Sequence, residues 1–191
     1  MTEKGKIVYF QTPGPENTDE VFRIASVRAE QLGIKNILVA STTGQSGAQA
    51  VEFFKGTRSR VIVVTHSAGV RGPNTQELTK ENRQKIERNG GVILTTTHAF
   101  SGLSRAMRKK FNMYLFEEAV ANTLRIFGEG MKVACEITLM AADAGLVRTD
   151  EDAIAAAGTG KGLDTAIVLR PVNSQDFFDL KVREILCKPH F

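Results

Sequence analysis

Three short apolar runs constrain this chain most. Ile37-Leu38-Val39-Ala40, Val61-Ile62-Val63-Val64 and Val92-Ile93-Leu94-Thr95 are rich in β-branched residues and do not alternate with polar ones. A strand with one wet face alternates, whereas a strand covered on both faces stays apolar. The runs therefore predict a parallel sheet with helices on both sides.

The intervening segments have helical spacing. Val21, Ala25, Ala29 and Leu32 form one stripe, with Thr18 placed to cap the start and Gly33 to end the helix in a left-handed conformation. A shorter helix is expected from Ser46 to Phe54. A third is expected to begin near Asn74, where Glu77 gives a capping-box spacing, and to end at Gly90-Gly91. Strand, helix, strand repeats of about 25 to 30 residues predict βαβ units with right-handed crossovers. Two more helices follow, Leu115 to Phe127 and Met131 to Ala144. Glu136 and Asp143 stand out on the second as acids on an apolar helix. Such acids usually reach a solvent edge or a hydrogen-bonded partner.

The last quarter is different. Ala153 to Ala157 and Ala166 to Leu169 flank Gly158-Thr159-Gly160-Lys161-Gly162, with too few residues between them for a crossover helix. An antiparallel hairpin is expected, ended by Pro171. One helical turn over Asp176 to Leu180 and a final strand over Val182 to Leu186 complete the reading. The expected fold is three-layer α/β: a mostly parallel sheet with helices on both faces and an antiparallel C-terminal hairpin. Residues 1–191 read as one domain.

Composition narrows function. Twenty-five Lys and Arg face 21 acids in 191 residues, a net charge of +4 that by itself does not argue for nucleic acid. Arg105, Arg108, Lys109 and Lys110 account for much of the excess. They suit a solvated helix face or the rim of a site for phosphorylated ligands, and no aromatic residues interleave them as in single-strand binders. The longest apolar runs reach about six residues, well below the ~20 of a membrane span. Met1 to Lys6 shows no signal-peptide pattern. Cys135 and Cys187 make no metal or CxxC motif and read as buried reduced thiols. A cytoplasmic protein with no membrane or nucleic-acid partner is the expectation.

Chemistry is expected beyond the carboxyl ends of the parallel strands, where open α/β sheets bind ligands. The first run leads into Ser41, Thr42, Thr43, Gly44, Gln45, Ser46 and Gly47 and then a helix. Hydroxyls and free N–H groups at a helix start suit a phosphate, although Ser and Thr also serve simply as caps. The second run leads into His66, Ser67, Ala68 and Gly69; the third leads into His98, followed by Ser101 and Gly102. Two histidines at equivalent strand ends are candidates for ligand contact or for acid–base catalysis. Gly158, Thr159, Gly160, Lys161 and Gly162 match neither a P-loop nor a dinucleotide fingerprint. Thr159 and Lys161 reach a phosphate if the hairpin tip faces the first loop.

At these residues a family resemblance emerges. The stretch ILVASTTGQSGAQAVEFF is similar to the strand, loop and helix of the pyruvate kinase C-terminal α/β domain that holds an effector's phosphate. AIAAAGTGKGLDTAIVL resembles that domain's last hairpin. VVTHSAG, THAFSG, KVACEITLMAADAGL, GLDTAIVLRP and REILCKP resemble stand-alone archaeal and bacterial proteins of this type. The resemblance implies FMN as the bound cofactor, with Thr42, Thr43, Gly44 and Ser46 on its phosphate. His66, Ser67, Gly69, His98, Ser101 and Gly102 would line the strand ends, and Gly158 to Gly162 with Thr165 would close the site. It does not imply pyruvate kinase activity, which belongs to a separate barrel of about 250 residues. The implied role is regulatory or sensory binding. The alternatives are a flavin-dependent oxidoreductase and a homo-oligomeric assembly module built on the apolar helix from Met131 to Ala144.

Overall fold

A computed structural model describes residues 5–191. Residues 1–4, which carry most of the signal-peptide expectation, lie outside the described residues. The chain runs β1 (Val8–Phe10), α1 (Thr18–Leu32), β2 (Asn36–Ala40), α2 (Gln45–Phe53), β3 (Arg60–Thr65), α3 (Lys80–Arg88) and β4 (Val92–Thr95). It continues through α4 (Gly102–Phe111), α5 (Phe116–Arg125), α6 (Glu129–Asp143), β5 (Ala153–Ala157), β6 (Thr165–Arg170) and β7 (Lys181–Pro189). Short 3₁₀ turns cover Pro15–Asn17 and Ser174–Asp179.

Seven strands among the described residues form one mixed sheet in the order β1-β7-β6-β5-β2-β3-β4. Strands β5, β2, β3 and β4 are mutually parallel, whereas β6 is antiparallel to β5 and β7. With helices packed on both faces, this is the expected three-layer α/β architecture. Strand β1 closes the far edge, parallel to β7.

The unbroken apolar runs have a direct cause. Ile37 and Val39 pack into one core with Val21, Phe22 and Ile86 from α1 and α3. Leu38, between them, packs into a second core with Cys135, Leu139 and Met140 from α6. Successive side chains point to opposite faces, and both faces are covered. The exception is β4, only half-buried because it forms the sheet edge.

Helix α6 lies on β2, β5 and β6, with α5 over it. Nearly every α6 residue from Gly130 to Ala142 is buried. The expected assembly surface is thus spent inside the chain, and exposed apolar side chains sit elsewhere, at Leu103, Phe111, Tyr114 and Phe116. Cys135 and Cys187 are free and buried, and burial pushes both thiols up to about 12.

Two helix starts differ from expectation. Thr18 is the first residue of α1, not its cap, and its Oγ1 instead accepts the Leu163 N–H at 3.0 Å. The third helix begins at Lys80, where Thr79 Oγ1 accepts the Asn82 N–H at 3.2 Å. Asn74, the expected start, has a φ of 60° and lies in a loop. Gly33 ends α1 as expected, with a φ of 67°.

Candidate functional site

Strand β2 is the point where the sheet's connectivity reverses. The chain leaves it for β3 and β4 on one side, and returns through α4, α5 and α6 to β5 on the other. The loops after β2 and β5 therefore part at the same sheet edge, and such a switch point opens a crevice. A cavity of about 680 Å³ lies there, within the range of roughly 300–1,000 Å³ usual for small-molecule sites.

The first wall is the loop after β2. Ser41 to Thr43 and Gln45 to Ser46 line the cavity, and Gly44 between them is the N-cap of α2. Gly44 has a φ of +88°, and a Cβ there would lie 2.4 Å from Leu78 Cδ1 and 2.6 Å from Asn82 Cβ. Only glycine permits both the turn and the close approach of the segment before α3. The hydroxyls are not equivalent. Ser41 Oγ is spent on the Gly47 N–H at 3.0 Å, whereas Thr42 Oγ1 lies 3.3 Å from His66 Nε2. The opening N–H groups of α2 have no carbonyl partner within the helix, which favours an anion there.

The second wall carries the histidines, whose rings are 5.2 Å apart. His66 Nδ1 lies 2.8 Å from Glu77 Oε2. The hydrogen bond from His66 draws the Glu77 carboxyl below its ordinary range, helped by Arg71. Glu77 is held in place by its neighbours: the Thr79 N–H and the Asn82 amide both donate to the Thr43 carbonyl. The Gln76 amide also donates to the His66 carbonyl at 2.9 Å. His98 Nε2 accepts the Ser67 N–H at 3.2 Å. Burial holds the His98 imidazole below its usual range, although Glu136 pulls the other way.

Helix α6 forms the floor. Lys132 and Glu136 are buried side by side, with Nζ 2.5 Å from Oε2, and the second Glu136 oxygen accepts the Phe100 N–H at 3.0 Å. A buried ion pair holds better when further hydrogen bonds support it, and here the Phe100 N–H supports the carboxylate. Val133, Ile137 and Met140 add an apolar stretch.

The loop after β5 forms the last wall. Gly158, Gly160, Lys161 and Gly162 reach the same cavity as the loop after β2. The buried Asp164 shapes this loop by accepting the Thr159 N–H at 2.9 Å and the Thr165 hydroxyl at 2.8 Å. Arg105 enters from α4, donating to Ser101 Oγ at 3.2 Å. Its Nε and the Thr159 hydroxyl are buried with no hydrogen-bond partner among the described residues.

The sequence-derived residues thus divide. Those from Ser41 to Ser46, both histidines and most of the glycine loop converge on one cavity. Gly47 packs against Val63 and Ile86, where a Cβ would come within 2.5 Å of Val63. Thr165 is buried on Asp164. Ser67, Ala68, Gly69 and Ser101 lie in neighbouring loops outside the cavity lining, and Gly102 opens α4, also outside it. Glu77, Arg105, Lys132 and Glu136 join the site through long-range packing. Asp143, the other acid noted on α6, accepts from Ser174 and Asn173 away from this cavity. Arg108 pairs with Glu118, and Lys109 and Lys110 face solvent.

Residues 19–169 match the family described as pyruvate kinase, alpha/beta domain. Among solved structures, a Cryptosporidium parvum pyruvate kinase is similar at 14% identity and a TM-score of 0.42, covering 81% of this chain and 23% of that one. The same organism's pyruvate kinase in complex with ADP is similar at 13% identity and a TM-score of 0.39, covering 79% and 22%. The chain thus spans less than a quarter of the length of these enzymes.

Proposed function

Because the chain belongs to the pyruvate kinase alpha/beta-domain family, we propose that its switch-point cavity binds a phosphorylated small molecule, with FMN as the ligand. The observation that carries this reading is the meeting of the α2 N-terminus with Lys161 and with the unpartnered Arg105 Nε in one cavity. Buried polar atoms without partners are costly, and a phosphate's oxygens satisfy donors of this kind.

The residues fit FMN in kind. Thr43, Gly44, Gln45 and Ser46 would cradle the phosphate, with Lys161 and Arg105 balancing its charge. Val133, Ile137 and Met140 offer an apolar surface for the ring system. A bound flavin supplies hydride or electron transfer, while the protein supplies position and electrostatics. The role proposed is regulatory or sensory binding without pyruvate kinase chemistry, in a reducing cytoplasmic setting that suits two buried free thiols. A redox enzyme is the second reading, favoured by the partly exposed His66 on the same cavity.

The test is fluorescence quenching with FMN and riboflavin. FMN is expected to bind at least tenfold more tightly than riboflavin. Lys161→Gln together with Ser46→Ala is expected to cost FMN about tenfold, roughly 1.4 kcal/mol, and to leave riboflavin unchanged. Equal losses for both ligands would contradict the phosphate assignment.

A further inference from the structure

Thr42, His66 and Glu77 stand in line on one wall of the cavity. Glu77 Oε2 is 2.8 Å from His66 Nδ1, and His66 Nε2 is 3.3 Å from Thr42 Oγ1. A carboxylate on Nδ1 assigns that nitrogen the proton, which leaves Nε2 to accept from the threonine hydroxyl. This is the relation of nucleophile, base and orienting acid that hydroxyl-based acyl transfer requires. The orienting acid is itself fixed, since Arg71 Nε donates to its second oxygen at 3.2 Å. His66 is partly exposed and Thr42 lines the cavity, so both are accessible to a substrate.

We propose that Thr42 is a nucleophile activated by His66 and oriented through Glu77, and that the site transfers acyl groups from small acyl phosphates. The substrate class follows from adjacency. The proposed phosphate cradle begins at Thr43, one residue after the nucleophile, so a phosphate held there carries an attached acyl group next to Thr42. The cradle rests on the preceding reading; the nucleophile does not.

The chemistry balances without a further reactant except water. Thr42 Oγ attacks the acyl carbon as its proton passes to His66 Nε2. The bond from the acyl carbon to the phosphate oxygen breaks, and phosphate leaves with the electron pair and takes the proton from His66. The cationic imidazole formed in between is stabilised by Glu77. Water then attacks the acyl-threonine, giving a proton to His66, which returns it to Thr42 Oγ as the carboxylic acid departs. The start of α2, with its free N–H groups, faces the cavity where negative charge develops.

The test uses the full chain with two probes, acetyl phosphate and p-nitrophenyl acetate. Both are expected to be hydrolysed above the buffer rate. Thr42→Val and His66→Gln are each expected to remove about 100-fold of that rate, and the double variant no more than either alone, because members of one unit are not additive. Thr42→Ser is expected to retain turnover. Glu77→Gln is expected to lower turnover about tenfold and to shift its pH profile. Mass spectrometry of the protein quenched with p-nitrophenyl acetate is expected to find acetyl on Thr42. Thermal unfolding of each variant confirms that it is folded.

Hydrolysis unchanged in folded Thr42→Val, or none above buffer in the native protein, would overturn the proposal. Flavin binding separates the two readings. FMN bound without Thr42-dependent hydrolysis removes the nucleophile alone. Thr42-dependent hydrolysis of p-nitrophenyl acetate, without FMN binding or any preference for acetyl phosphate, removes the phosphate cradle alone.

Discussion

The loops after β3 and β4 open alike, with a threonine, a histidine and small residues, yet they treat their imidazoles in opposite ways. His66 is partly open to the cavity and held at both nitrogens by side chains, Glu77 and Thr42. His98 instead accepts a backbone N–H, that of Ser67. Burial keeps it below its usual range. The first offers its ring to the cavity; the second is a neutral strut that ties the two loops together. The neighbours, not the strand-end position, decide which is which.

The strut depends on the buried pair beneath it, and removing that pair is the largest expected perturbation. Glu136→Ala leaves Lys132 charged and buried and the Phe100 N–H unmet. It is expected to cost about 3–5 kcal/mol, read by chemical denaturation. A loss under about 1 kcal/mol would mean that α6 does not anchor the His98 side of the site.

Next is the pH response of the strut. His98 titrates lower in the folded chain than its ordinary 6.5, so the unfolded chain binds the extra proton first. Stability from this group is full well above about pH 6.5 and declines as pH falls through that value toward the folded one. Protonation also removes the acceptor for the Ser67 N–H. The facing charges are Glu136, His66, Lys132 and Arg105. His98→Gln is expected to flatten this acid-side decline in thermal unfolding scans; an unchanged slope would place the response on another group.

The smallest effect is expected at the open histidine. Glu77→Gln loses a charge-assisted bond at a partly exposed site, a cost of about 1 kcal/mol after solvent screening. Glu77 is depressed, so its contribution is present above its ordinary 4.5 and is lost as pH falls toward the folded value. A variant that destabilises more than Glu136→Ala would reverse the contrast between the loops.

Much of the architecture was legible because it rests on local patterns. Runs without alternation marked the strands covered on both faces, and a glycine-rich link too short for a crossover marked the β5–β6 hairpin. The site was legible only where the chain announces itself near a strand end. Glu77 was misread as part of a capping box, because its spacing from Asn74 imitates one while the true cap, Thr79, lies two residues later. Its function depends on bonds from Thr79 and Asn82 to Thr43, dozens of residues away. Lys132 and Glu136 sit at a helical i,i+4 spacing that usually means a solvated pair. Only the packing of α5 and α6 on the sheet reveals that this pair is buried. Arg105 belonged to a basic run whose other members do face solvent or pair with Glu118.

A phosphorylated ligand is the proposed occupant of the switch-point cavity. A crystal structure of the protein with FMN tests it most directly. The phosphate is expected against the N–H groups that open α2, within reach of Lys161 and Arg105, with the ring system along Val133, Ile137 and Met140. Flavin bound away from the α2 N-terminus, or no flavin in the cavity at saturating FMN, would contradict it.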